Sequence, residues 1–162
     1  VQPHAGDARR FLQQSDQKYD LIFGDAYNGV RHIPAHLVTR EFFEQVRSHL
    51  SENGVFLMNI ISAVEGDRSV LLGHALGTIR AVFPNVEVFA AGGLRSESQN
   101  VILQASMKSW KPWLEERFYS TGSWQAQLVG TRVPPAMQPE PGAVLTDDWN
   151  PIDAVIARQL SH

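Results

Sequence analysis

The sequence predicts an α/β protein whose sheet is mostly parallel and closes with an antiparallel strand. Three observations carry this reading. Tyr19-Asp20-Leu21-Ile22-Phe23-Gly24 is apolar almost throughout and stops at Asp25 and a group of turn formers, the pattern of a buried parallel strand. A second apolar run, Val55 to Ile61, follows a segment of helical spacing, as in a strand-helix-strand unit. Two further β-rich runs, Val86 to Ala90 and Asn100 to Ala105, have no helix between them, so the last must turn back antiparallel.

Each element has a local reason. Asp7 is placed to cap a short helix over Ala8 to Gln14, with Phe11 and Leu12 available to face a sheet. Thr39 opens a longer helix in which Phe42, Phe43, Val46 and Leu50 recur at helical spacing. Glu41 near its start and Arg47 and His49 near its end complement the helix dipole, and Asn53-Gly54 is the expected stop. After the Val55 to Ile61 strand and a Gly66-Asp67 turn, Leu72, Ala75, Leu76, Ile79, Val82 and Phe83 mark a further helix, ended before Pro84. Gly73 and Gly77 within it cost about 1 kcal/mol each relative to Ala, which predicts a close approach to the sheet. Gly92 to Glu97 suits a hairpin or a loop over a site.

Beyond Ser106 the character changes, and a boundary is expected there between segments 1–106 and 107–162. Trp110 to Ser120 is aromatic-rich and contains the helix-forming Leu114-Glu115-Glu116-Arg117. Val133 to Gly142 is proline-rich and suits neither a helix nor a central strand, so it reads as a tether or lid. Asn150 and Pro151 then supply an N-cap and first-turn proline for a final helix, with Asp153 in its first turn.

Composition narrows the function classes. The 162 residues are 43% hydrophobic and 19% charged, ordinary for one folded domain with a substantial core. A net charge of -3 and a pI near 6.1, without a Lys/Arg run, argue against a nucleic-acid partner held by bulk electrostatics. The absence of cysteine excludes a disulfide framework and a thiolate nucleophile. No apolar stretch approaches the ~20 residues of a membrane span, and the N-terminus lacks the layout of a secretory signal, so a cytoplasmic protein is expected. The histidines show no ligand spacing, and no metal is expected.

In open α/β sheets ligands bind outside the carboxyl ends of the strands, which is where Asp25 falls. It is a candidate base or cation ligand, or a cap for the loop that follows. Asp147 and Asp148 could swing over the same edge to bind a cationic amine, or could organise the start of the final helix.

The order helix, strand, helix, strand, helix, strand, strand is the closing pattern of the Rossmann-like class I S-adenosylmethionine-dependent methyltransferase fold. Within it, Gly6-Asp7-Ala8-Arg9-Arg10-Phe11-Leu12, Tyr19-Asp20-Leu21-Ile22-Phe23-Gly24-Asp25, Leu37-Val38-Thr39-Arg40-Glu41-Phe42-Phe43 and Gly54-Val55-Phe56-Leu57-Met58-Asn59 resemble landmarks of the spermidine synthase-like family of polyamine aminopropyltransferases. Leu145-Thr146-Asp147-Asp148-Trp149-Asn150-Pro151 resembles a C-terminal signature of its divergent branch.

The resemblance implies transfer of an aminopropyl group from decarboxylated S-adenosylmethionine to a small-molecule amine, without a metal. It places Asp7, with Ala8, at the adenine of the nucleotide co-substrate and Asp25 at the attacking amine. Where typical synthases carry a second acid, this chain has Asn28. The family's glutamine after the next strand has no clear counterpart, though Asn59 offers a related polar group, and Glu97 is a possible replacement charge in the amine-binding loop. Asp147 and Asp148 join these as candidate amine contacts. The glycine-rich turn that meets the sulfonium, and the ribose-binding acid, would precede Val1. A longer protein, or a homo-oligomeric or other partner, is therefore expected to complete the pocket and cover the open edge of the Asp25 strand. An S-adenosylmethionine-dependent methyltransferase and a noncatalytic binding protein are the rival readings on this fold.

Overall fold

Local signals set the helix starts in the computed structural model, which describes residues 2–26, 33–92, 95–109 and 131–160. Asp7 has extended backbone and accepts the Arg10 N–H at 2.9 Å, opening α1 (Ala8–Gln13). Thr39 accepts the Phe42 N–H at 3.3 Å and opens α2 (Arg40–His49), which buries Phe42, Phe43 and Val46. Gly66, at φ +73°, makes the turn that leads to α3 (Val70–Arg80), whose Leu72, Ala75, Leu76 and Ile79 are fully buried. Asn150 accepts the Ile152 N–H at 3.1 Å at the start of α4 (Ile152–Leu160).

Four strands, β1 (Tyr19–Gly24), β2 (Leu50–Ser62), β3 (Asn85–Ala90) and β4 (Gln99–Ser106), form a sheet of order β1-β2-β4-β3. β1 and β2 are parallel, and β4 is antiparallel to both of its neighbours. The last strand is thus inserted between β2 and β3, which run in one direction. The short β3–β4 connection and the α3 crossover produce this: α3 sets β3 one strand away from β2, and β4 folds back into the gap.

The expected helix stop at Asn53-Gly54 is corrected. α2 ends at His49 and passes directly into β2. Tyr19 pairs with Leu50 but Leu21 with Val55, so the turn-forming pair sits in an irregularity at the start of the strand. A Cβ at Gly54 would lie 2.8 Å from the Tyr19 carbonyl oxygen, which explains a glycine at that point.

The burial of β1 is corrected as well. Ile22, registered with Phe56, points to the face where the Phe43, Phe56 and Phe83 rings pack, centroids 5.9 and 6.4 Å apart. Leu21 and Phe23 point to the other face and are 56% and 55% exposed. Among the described residues β1 is one of the two edge strands of the sheet, and its apolar run is covered on one face and open on the other.

Gly73 and Gly77 admit a close neighbour, but it is the proline-rich connector and not the sheet. The Gly142 N–H donates to the Gly73 carbonyl at 2.8 Å. A Cβ at Gly73 would sit 2.9 Å from the Glu140 carbonyl oxygen, and one at Gly77 would overlap that of Gly142. The strap then fastens on: Thr78 Oγ1 accepts the Leu145 N–H at 2.9 Å, and the Leu145 carbonyl accepts the Arg40 N–H at 2.8 Å. Val133, Leu145, Ile152 and Ile156 enter the same buried cluster as the sheet and α3. The expected aromatic helix at Trp110 to Ser120 lies outside the described residues.

Candidate functional site

The parallel register that ends with Gly24 opposite Met58 brings the next residues, Asp25 and Asn59, side by side. The Asn59 Nδ2 donates to Asp25 Oδ1 at 2.9 Å. Asp25 is exposed and Asn59 half-buried. An ionised carboxylate has about four acceptor positions, so this contact leaves capacity for an ammonium or a transferred proton.

Asp7 uses both oxygens. Oδ1 caps α1, and Oδ2 lies 2.7 Å from His36 Nε2, in the short 3-10 turn Ala35–Leu37. The Arg10 N–H foremost, then His36, hold the Asp7 carboxyl below its ordinary range.

Beside β1 runs an open groove of about 370 Å³, a size suited to a small ligand. Gly6 and Ala8, the residues on either side of Asp7, line it together with Gly24, the residue before Asp25. Phe11, Leu12 and Phe56 give it apolar walls. The neighbours of the two acids therefore share one cleft.

The remaining candidates are spread more widely. The Arg9 guanidinium grips Asp147 through both terminal nitrogens, one at 2.8 Å, and the Asp147 N–H donates to Glu41 at 3.0 Å. The Arg9 contact is the main reason that the Asp147 carboxyl is held low, and it raises Arg9 in turn. Asp148 is exposed in the adjoining bend. Glu97 is exposed beyond the end of β3, in a loop whose Arg95 carbonyl accepts the Val64 N–H at 2.8 Å and the Glu65 N–H at 3.2 Å. Among the described residues no hydrogen bond or ion pair joins Asp147, Asp148 or Glu97 to Asp25. Asn28 lies outside the described residues.

His36 and Arg9 are the residues that sequence reading passed over. Their partners are 29 and 138 positions away, and no local spacing signals either contact. Among the described residues no group of three or more His, Asp or Glu side chains could hold a metal, and no helix is long and apolar enough to cross a membrane.

Residues 1–108 match the model of the spermine/spermidine synthase domain. The chain is 37% identical over 109 residues to a polyamine aminopropyltransferase of Vibrio vulnificus, covering 65% of the chain and 33% of that protein. It is 33% identical over 167 aligned positions to a probable polyamine aminopropyl transferase of Bifidobacterium longum, covering 92% and 36%. The chain thus spans about a third of the length of these curated relatives. Among solved structures, a probable spermidine synthase from Corynebacterium glutamicum superposes with a TM-score of 0.55 at 24% identity, over 76% of this chain and 41% of that one. A spermidine synthase in complex with the transition state analogue AdoDATO gives 0.55 at 18% identity, over 79% and 46%. These likenesses show the class I methyltransferase fold.

Proposed function

Because the chain belongs to the spermine/spermidine synthase domain family, we propose that the protein carrying it is a polyamine aminopropyltransferase. The amine nitrogen attacks the methylene carbon bonded to the sulfonium of decarboxylated S-adenosylmethionine. The C–N bond forms, the C–S pair returns to sulfur, and methylthioadenosine leaves. An alkylammonium must first lose a proton, and Asp25 attracts the cation and takes that proton. The sulfonium needs no acid to leave, so the rest of catalysis is alignment and charge.

The observation that carries this reading is the common groove, in which Gly6 and Ala8 flank Asp7 while Gly24 leads to Asp25. Asp7 accepts from the adenine amino group, with Ala8 beside it, and Asp25 receives the acceptor amine. The Asn28 amide offers the amine a neutral hydrogen bond where an acid would offer charge. Glu97 and Asp148, both exposed, are candidates for a distant ammonium of a longer amine. Asp147, committed to Arg9, fastens the C-terminal segment to α1. Leu21 and Phe23 line the same groove and are exposed at the open β1 edge, which supports a further role for neighbouring polypeptide, in the same chain or in a second copy, that packs along this edge and narrows the groove to its ligand.

Calorimetry on the complete gene product with the two forms of the nucleotide tests this. Decarboxylated S-adenosylmethionine, which brings no carboxylate to a site with two acids, is expected to bind at least 10-fold tighter than the ordinary form, about 1.4 kcal/mol. Equal or reversed preference contradicts the assignment and favours methyl transfer.

A further inference from the structure

We infer that Asn59 is a positioning residue for Asp25: its side-chain amide fixes the orientation of the carboxylate that takes the amine's proton. The inference rests on the function proposed above and deepens it. It also gives Asn59 a different task from direct contact with substrate.

Asp25 stands just past the last paired residue of β1 and is exposed, so the ladder itself does not fix the rotation of its carboxylate. Asn59 is the opposite case. It lies within β2, three residues before its end, paired with Ile102 of β4 and set between Met58 and Ile60, which are 2% and 0% exposed. Its backbone is held by the β4 ladder on one side, and on the other it directly follows Met58, the last β2 residue paired with β1, so its amide projects from a fixed point. The 2.9 Å bond transfers that rigidity to one oxygen of Asp25.

The chemistry favours an amide at this position. Lys or Arg would neutralise Asp25 and repel the incoming ammonium. A second carboxylate at this distance would compete for a proton, since like charges so close disfavour joint ionisation. A neutral donor anchors the carboxylate and leaves its charge intact. In a displacement governed by alignment, a small misplacement of the base is enough to slow turnover strongly, up to about 100-fold for ~1 Å.

A double-mutant cycle in the complete gene product tests the inference. Asn59→Ala is expected to lower kcat by about 10- to 100-fold with the amine KM changed less than about threefold. In an Asp25→Asn background, itself lowered by about 100-fold or more, Asn59→Ala should have little further effect. A readout independent of turnover is the Asn59 side-chain amide signal in proton-nitrogen correlation spectra. It should follow a carboxylate titration that disappears in Asp25→Asn. A raised KM at unchanged kcat, effects that multiply in the double variant, or an amide signal indifferent to Asp25 each overturn the positioning role and leave the base assignment standing. Unchanged turnover in Asp25→Asn removes the base assignment, and the inference falls with it.

Discussion

Asp7 and Asp147 show how single side chains tie distant segments of this chain to α1. Asp7 joins the helix start to His36, and Asp147 joins Arg9 to the C-terminal segment. Both carboxyls are held below their ordinary 3.8 in the folded protein. The stability they contribute is therefore present above that unfolded value and is lost as the pH falls through the lower folded values. Both are partly exposed, so each contributes less than about 1 kcal/mol. Melts between pH 5 and 2.5 should show the wild type losing more stability than Asp147→Asn, whose amide does not titrate. Parallel losses would remove the Arg9 pair from the acid response. The residues differ in legibility for the same reason. The cap of α1 by Asp7 and the strand-end place of Asp25 depend on near neighbours and could be read from the sequence, whereas the Asp147–Arg9 pair spans 138 positions and could not. Asn59 was legible as a polar group at the right strand, but its bond to Asp25 depends on the β1–β2 register.

α3 and its strap make the same point for elements. The spacing of Leu72, Ala75, Leu76 and Ile79 gave the helix correctly, and the helical glycines signalled a close approach. What approaches is a connector from the far end of the chain, which no period in the sequence announces. Gly77→Ala should force the Gly142 carbonyl away and destabilise the fold by about 1–3 kcal/mol, read as a lower midpoint in urea at unchanged slope. Ala is the better helix former, so an unchanged or raised midpoint would mean that the strap does not rest on α3. The Asn53-Gly54 misreading has a simple cause: turn formers look alike whether they end a helix or occupy a strand irregularity. An apolar run such as that of β1 specifies a strand and affinity for a core but not how many of its faces are covered, and Leu21 and Phe23 are exposed among the described residues.

For the molecule as a whole, the fold order and the family were legible because they are spread over many residues from Gly6 to Ala105, so that no single departure obscures them. The substrate depends on a few side chains at the proposed site, which is far less sequence than the fold draws on, and the chain spans about a third of its curated relatives' length. The function proposed above assigns Asp25 and the groove beside it to aminopropyl transfer. Mass spectrometry of products from the complete gene product tests it most directly, with decarboxylated S-adenosylmethionine and a panel of mono-, di- and triamines. The expected result is an aminopropylated amine and methylthioadenosine in equal amounts, lost by about 100-fold or more in Asp25→Asn. Methylated products from ordinary S-adenosylmethionine, or no amine product while the nucleotide still binds, would contradict it.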